Sequence, residues 1–150
     1  MTTLIESLLP IFQRDLDKLA EEIKLYPTEN ALWVISDAIK NPGGNLCLHL
    51  CGNLQHYIGA VLGQMDYQRN RDAEFADKKV PREKLIAEIS KTKAALTNVL
   101  PGLTEAQLAA VYPQDVFGKP MTTQFFLLHL SAHLSYHLGQ VNYHRRLLKS

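Results

Sequence analysis

Apolar positions recur with a helical period along most of this chain. Leu8, Ile11, Phe12, Leu16, Leu19 and Ile23 share one stripe, so a first helix is expected up to about Leu25, stopping before Pro27. Pro10 either sits in its first turn or kinks it. Asn30 to Lys40 is short and ambiguous, with room for a helical turn around Leu32-Trp33. Asn41-Pro42-Gly43-Gly44 is a break, after which a second helix is predicted from about Asn45 to Gln64. Met65 to Val80 is polar and charged and reads as a loop. Pro81 is placed to open a third helix, where the first turn needs no amide donor. Leu85, Ile86, Ile89, Leu96 and Leu100 form its apolar face, and Pro101-Gly102 ends it. Thr104-Glu105-Ala106-Gln107 has the spacing of a capping box for a short helix. Val111 to Met121 holds two prolines and a glycine and reads as a loop or small hairpin. Thr122 or Thr123 can cap the last helix, which runs to about Leu147.

Four longer helices with very unequal connections predict an all-α fold, a four-helix bundle with an irregular insert before the last helix. At 150 residues the chain is read as one domain spanning 1–150. Sixteen basic and fifteen acidic residues leave a net charge of +1, which gives no footprint for nucleic acid. His144-Arg145-Arg146 with Lys149 is read as complementing the negative end of the last helix. No stretch approaches the roughly 18 apolar residues of a membrane span. Residues Met1 to Pro10 lack a basic start, and Glu6 breaks their apolar run, so no secretory signal is expected. Cys47 and Cys51 lie four apart in a helical pattern, which suits buried thiols in a reducing, cytoplasmic setting.

The histidines carry the chemistry. All six fall in two segments: His49 and His56 in the second helix, and His129, His133, His137 and His144 in the last. At about 100° per residue, His129, His133 and His137 lie within roughly 80° of one another, with Gln140 and His144 in the same arc. An i, i+4 pair can aim two imidazoles at one divalent cation. A catalytic zinc site usually has three protein ligands and one open position, so a third ligand should come from a facing helix. Around His49 one face of the second helix carries Asn45, Gly52, Asn53, His56 and Gly63, small and polar like a site wall or a solvent face. Cys47 and Cys51 point the other way. His49 and His56, about 10 Å apart along the axis, cannot easily reach one ion together. Periodicity chooses neither between them nor between the pairs His129/His133 and His133/His137.

Two blocks resemble the DinB/YfiT-like superfamily of inferred metalloenzymes, in a branch of unknown function. Gly44-Asn-Leu-Cys-Leu-His49-Leu-Cys-Gly-Asn53-Leu is similar to that branch's second-helix motif, followed by Arg69-Asn-Arg71-Asp72-Ala-Glu74-Phe75. His133-Leu-Ser-Tyr-His137-Leu-Gly139-Gln140 is similar to the HxxxHxGQ signature of the last helix. The resemblance covers essentially the whole chain and implies a bundle of up-down-down-up topology. It implies a metal triad of His49, His133 and His137, and leaves His56, His129 and His144 without a role. Relatives in that superfamily include thiol S-transferases, such as bacillithiol transferases, and a mycothiol-dependent isomerase, and homodimers are common among them.

The expectation is therefore a cytoplasmic enzyme that uses a divalent transition metal (zinc, nickel or iron) on a small molecule, with no nucleic-acid or membrane partner. Its ion would sit on three histidines with one coordination position open. Gln140 and Asn53, each one turn beyond a ligand histidine, are candidates to orient an imidazole. Tyr57 and Tyr136 flank the ligand faces, chiefly as packing residues. Arg69, Arg71, Asp72 and Glu74 read first as a solvated loop, and second as an ion-paired lid or anion-binding edge. Two reactions fit an open site: hydrolysis, or transfer of a low-molecular-weight thiol to an electrophile. No carboxylate stands at helical spacing from His133 or His137, which favours the transferase modestly. The alternative is a non-catalytic metal-binding or stress-response bundle, which a fourth ligand from His129 or Asp115 would favour. A third reading is a helical interaction module with incidental histidines.

Overall fold

The computed structural model describes residues 1–148. Six α-helices follow in order: α1 (Thr3–Leu25), α2 (Gly43–Leu54), α3 (Arg71–Ala76), α4 (Arg82–Val99), α5 (Glu105–Ala109) and α6 (Thr123–Leu147). The chain is all-helical as expected: no strand occurs among the described residues, only one isolated antiparallel bridge, between Val111 and Thr122. That bridge closes the irregular insert on itself, with Tyr112 N–H donating to the Met121 carbonyl at 2.8 Å.

The four long helices bury one continuous apolar core. Ile5, Phe12, Leu16, Leu19 and Ile23 of α1 meet Leu50 and Leu54 of α2, Leu85 and Leu96 of α4, and Leu127, Leu134 and Val141 of α6. Helix α1 packs on α4 and α6, and α2 packs on the same two. Side-chain pairings give the directions. Gln13 meets Thr97 and Asp17 meets Lys93, so α1 and α4 run oppositely. Arg14 shares a groove with Ser135, while Glu22 bonds Asn142 and Arg145, so α1 and α6 run together. Gly43 meets His144 and His49 meets His133, so α2 opposes α6. Gln55 bonds Glu88, and Gly63 abuts Val99, so α2 parallels α4. The topology is up-down-down-up, as the resemblance implied.

Local chemistry sets the boundaries. Thr122 is the residue that caps α6, accepting from Phe125 N–H at 3.1 Å, and Thr104 with Gln107 forms both bonds of the capping box. Pro10 lies inside α1 on its exposed side, where the carbonyl it leaves unpaired faces water. Asn30–Trp33 is a 3₁₀ turn.

Two expectations need correction. The second helix starts at Gly43 rather than Asn45, and after Leu54 it widens into a π-helical segment, Gln55–Ala60. The polar segment 65–80 is not simply loop, because it contains α3, capped by Asn70 Oδ1 accepting from Ala73 N–H at 3.1 Å. Asn45, fully buried on α2, ties this segment down by donating to the carbonyls of Glu74 (2.9 Å) and Asp77 (2.8 Å). No described helix is long and apolar enough to cross a membrane.

Candidate metal centre

Helix α2 is buried almost all round, so its small, polar face is a site wall and not a solvent face. Against it, α6 runs antiparallel and brings His133 and His137 opposite His49. The Nε2 of His133 lies 3.2 Å from Nε2 of His49 and 3.1 Å from Nε2 of His137. The three rings stand nearly perpendicular to one another, at 74°, 85° and 89°.

Which nitrogen is bare follows from the partners on the far side of each ring. His137 Nδ1 lies 2.6 Å from Gln140 Oε1, an acceptor, so Nδ1 carries the proton and Nε2 presents a lone pair. His49 Nδ1 lies 3.1 Å from Glu74 Oε1 and is held in the same tautomer. Three imidazole nitrogens converge on one point at a spacing that suits a shared cation. Two nitrogens bound near-tetrahedrally to one zinc ion stand about 3.3 Å apart. The donor set therefore fits a divalent transition ion, and the ligand atoms of these three residues all lie within 4.8 Å of one another.

Glu74 is the residue that sequence reasoning undervalued. Its carboxylate is 6% exposed and is clamped by Arg69, whose Nε and Nη2 donate at 2.8 and 2.9 Å. Burial by itself would raise the Glu74 carboxyl. Hydrogen bonds from His49 and Arg69, and the Arg69 charge, outweigh it and hold the group below the usual carboxylate range. Arg69 and Glu74 are thus a buried ion pair orienting His49, and only Arg71 and Asp72 of that charge run are solvated. The one signal in the sequence was the density of alternating charge, since a spacing of five matches no helical contact.

Gly52 makes room for that carboxylate, because a Cβ there would overlap Glu74 Oε2. Gly52→Ala should displace Glu74 from His49 and weaken metal binding about tenfold, the scale of losing a partner that orients a ligand. Chelator competition with zinc would measure it. An unchanged affinity would detach Glu74 from the site.

The remaining candidates are placed as follows. Gln140 reaches the His137 ring, whereas the Asn53 Oδ1 is buried without a partner. His56 bonds Gln114 away from the triad, at 3.2 Å. His129 stacks on Phe126 and edges against Phe117, and Asp115 accepts from Gly118 N–H. No fourth histidine, cysteine or carboxylate joins the ligand cluster among the described residues. Cys47 and Cys51 are buried and also outside it. The Cys51 thiol beside it, together with burial, pushes Cys47 well above the ordinary thiol range. Tyr57 packs edge-on to Phe126, and Tyr136 is exposed.

Arg145 and Arg146 do lie in the last turn of α6, but His144 is buried away from solvent, and Lys149 lies outside the described residues. His144 is 5% exposed, its Nδ1 accepts from Tyr26 O–H (2.7 Å) and Gly43 N–H (3.2 Å), and its Nε2 donates to the Val34 carbonyl at 2.8 Å. Burial lowers its pKa, so it serves as a neutral rivet and not as a charge on the helix end.

Burial, and then the neighbouring His137 and His49, push the His133 imidazole down to about 4. A neutral folded histidine stabilises the fold above its unfolded pKa of 6.5, and that stability is lost as pH falls. The metal-free chain should therefore lose about 2 kcal/mol between roughly pH 6.5 and 4, after discounting for partial exposure. Urea midpoints of chelator-treated protein across that range would check the slope, and a flat profile would contradict it.

The profile of the DinB superfamily matches residues 11–141, and the chain belongs to that superfamily. No curated protein matches the chain. The superfamily is one of metalloenzyme-like bundles, and the histidine cluster described above lies within the matched span.

Proposed function

We propose that this protein is a metal-dependent enzyme that joins a small thiol to an electrophile, with His49, His133 and His137 as the ligands of one divalent ion. The carrying observation is the convergence of three Nε2 atoms, with the outer nitrogens of His49 and His137 committed to Glu74 and Gln140. A divalent ion there would supply Lewis acidity, lowering the pKa of a water or thiol that binds it. The residues supply the rest. Glu74 and Gln140 fix the tautomers, and Phe117, Phe126 and Leu130 give the adjoining cleft an apolar side.

Thiol transfer is favoured over hydrolysis because the one carboxylate touching the triad is a poor base. Glu74 is committed to His49 and both Arg69 donors, and its pKa is lowered. A hydrolase wants a carboxylate poised to take a proton from water. A thiol arrives as its own nucleophile: the S–C bond forms, the bond to the leaving group breaks, and the thiol proton passes to solvent.

Zinc-loaded protein should accelerate thioether formation between a low-molecular-weight thiol and a fluorogenic alkyl chloride, and His133→Ala should abolish the acceleration. Thiols should also change the absorption of cobalt-loaded protein. Absence of both effects with every thiol tried, alongside ester hydrolysis by the same sample, would transfer the proposal to a hydrolase.

A further inference from the structure

Beside the triad lies a cleft of about 370 Å³, walled by His49 and His133 on one side and by Tyr57, Phe117, Phe126 and His129 on another. That is near the small end of the roughly 300–1,000 Å³ typical of small-molecule sites. Its charged lining is one-sided: Arg69 and Arg71 contribute, and no carboxylate does. Arg69 is neutralised by its two bonds to Glu74. Arg71 makes no ion pair among the described residues; its guanidinium lies 5.3 Å from the Phe75 ring, and the adjacent Asp72 is exposed and unengaged with it. The histidines of the wall add no negative charge.

The other walls are apolar or incompletely satisfied. Phe117 is 47% exposed at the end of the irregular insert, edge-on to both Phe126 and His129, so the rim presents aromatic surface to whatever enters. Asn53, more than nine-tenths buried, lines the same cleft with an Oδ1 that has no partner. Buried polar atoms are ordinarily satisfied, so an amide left open in a cavity wall marks where a ligand or water belongs.

We infer that this cleft binds a small organic carboxylate with a flat apolar body, its carboxylate on Arg71 and its body against Phe117, Phe126 and Tyr57. The planar guanidinium fork matches one carboxylate with two parallel bonds, and one free Arg71 supplies a single positive charge for a monoanion. The inference deepens the enzyme reading, on which its catalytic meaning rests, by naming the charge class of the substrate. The binding step stands on Arg71 and the aromatic walls alone.

The test uses 4-fluorobenzoate and its neutral counterpart 4-fluorobenzamide, followed by fluorine NMR on the full chain, both zinc-loaded and chelator-treated. Fluorobenzoate should bind the chelator-treated protein and weaken as salt rises. Arg71→Gln should weaken it about tenfold while Arg71→Lys retains part of the affinity, and fluorobenzamide should be indifferent to all three forms. Equal binding of acid and amide, or a fluorobenzoate affinity unchanged in Arg71→Gln, overturns the inference. Zinc titration of the same samples separates the two proposals: zinc bound without carboxylate discrimination sinks this one alone, and carboxylate discrimination without zinc sinks the metal enzyme alone. Arg71 is exposed and outside the core, so its variants should fold.

Discussion

Alanine at His49, His133 or His137 is expected to lower the affinity for zinc by at least about a hundredfold, because in the proposed site each would be one of three ligands, with none to spare. The same change at His56 or His129 should leave affinity within about threefold. The contrast is sharp because all five residues lie on the facing surfaces of α2 and α6, or on the continuation of α2, and differ mainly in level along the axis. Chelator competition at fixed pH, on protein purified without a histidine tag, measures it. A large loss at His129 with none at His137 would shift the ligand pair one turn toward the start of α6. A large loss at His56 with none at His49 would remove the triad altogether.

His144→Ala should produce the largest loss of stability among the histidine variants while leaving zinc stoichiometry intact. The ring satisfies Tyr26 O–H, Gly43 N–H and the Val34 carbonyl in a buried setting. Removing one partner of a buried hydrogen bond costs about 1–3 kcal/mol. Tyr26 has the Val141 carbonyl at 3.2 Å as a second acceptor, which offsets part of that. A net loss of about 3 kcal/mol is expected, read as a shift in the urea midpoint. His144→Gln, which keeps an acceptor and a donor, should recover part of it. A neutral effect would mean that water replaces the ring at no cost.

The long helices were legible because each has an apolar stripe at the helical period, and the caps at Thr104 and Thr122 because their chemistry is local. Helix α3 was not, since its six residues, three of them charged, are too few to carry a stripe, and its position depends on Asn45 from 29 residues away. The histidines divide the same way. A helical wheel put His129, His133, His137 and His144 on one face of α6, and the structure keeps them on the side turned toward α2. The wheel alone does not say which part of α2 each one meets. The antiparallel crossing decides that: Gly43 faces His144, His49 faces His133 and His137, and Tyr57 faces Phe126. His56 then sits at the level of the aromatic cluster, too far along for the triad. The burial of Glu74 was illegible for a related reason, since it depends on a gap at Gly52 and a partner at Arg69.

His49 and His133 are separated by 84 residues, nearly the full span between the second helix and the last. Bringing such distant segments together costs loop-closure entropy that only the assembled core repays, so contacts of this range form late as the chain folds. In the proposed site α6 would carry two ligands and α2 the third, so the set would be complete only once the two helices dock. An ion would then be captured by a finished scaffold and would not nucleate it. Metal loading would be a separate event after folding, open to exchange and to whichever cation the surroundings supply, while the bundle itself would persist.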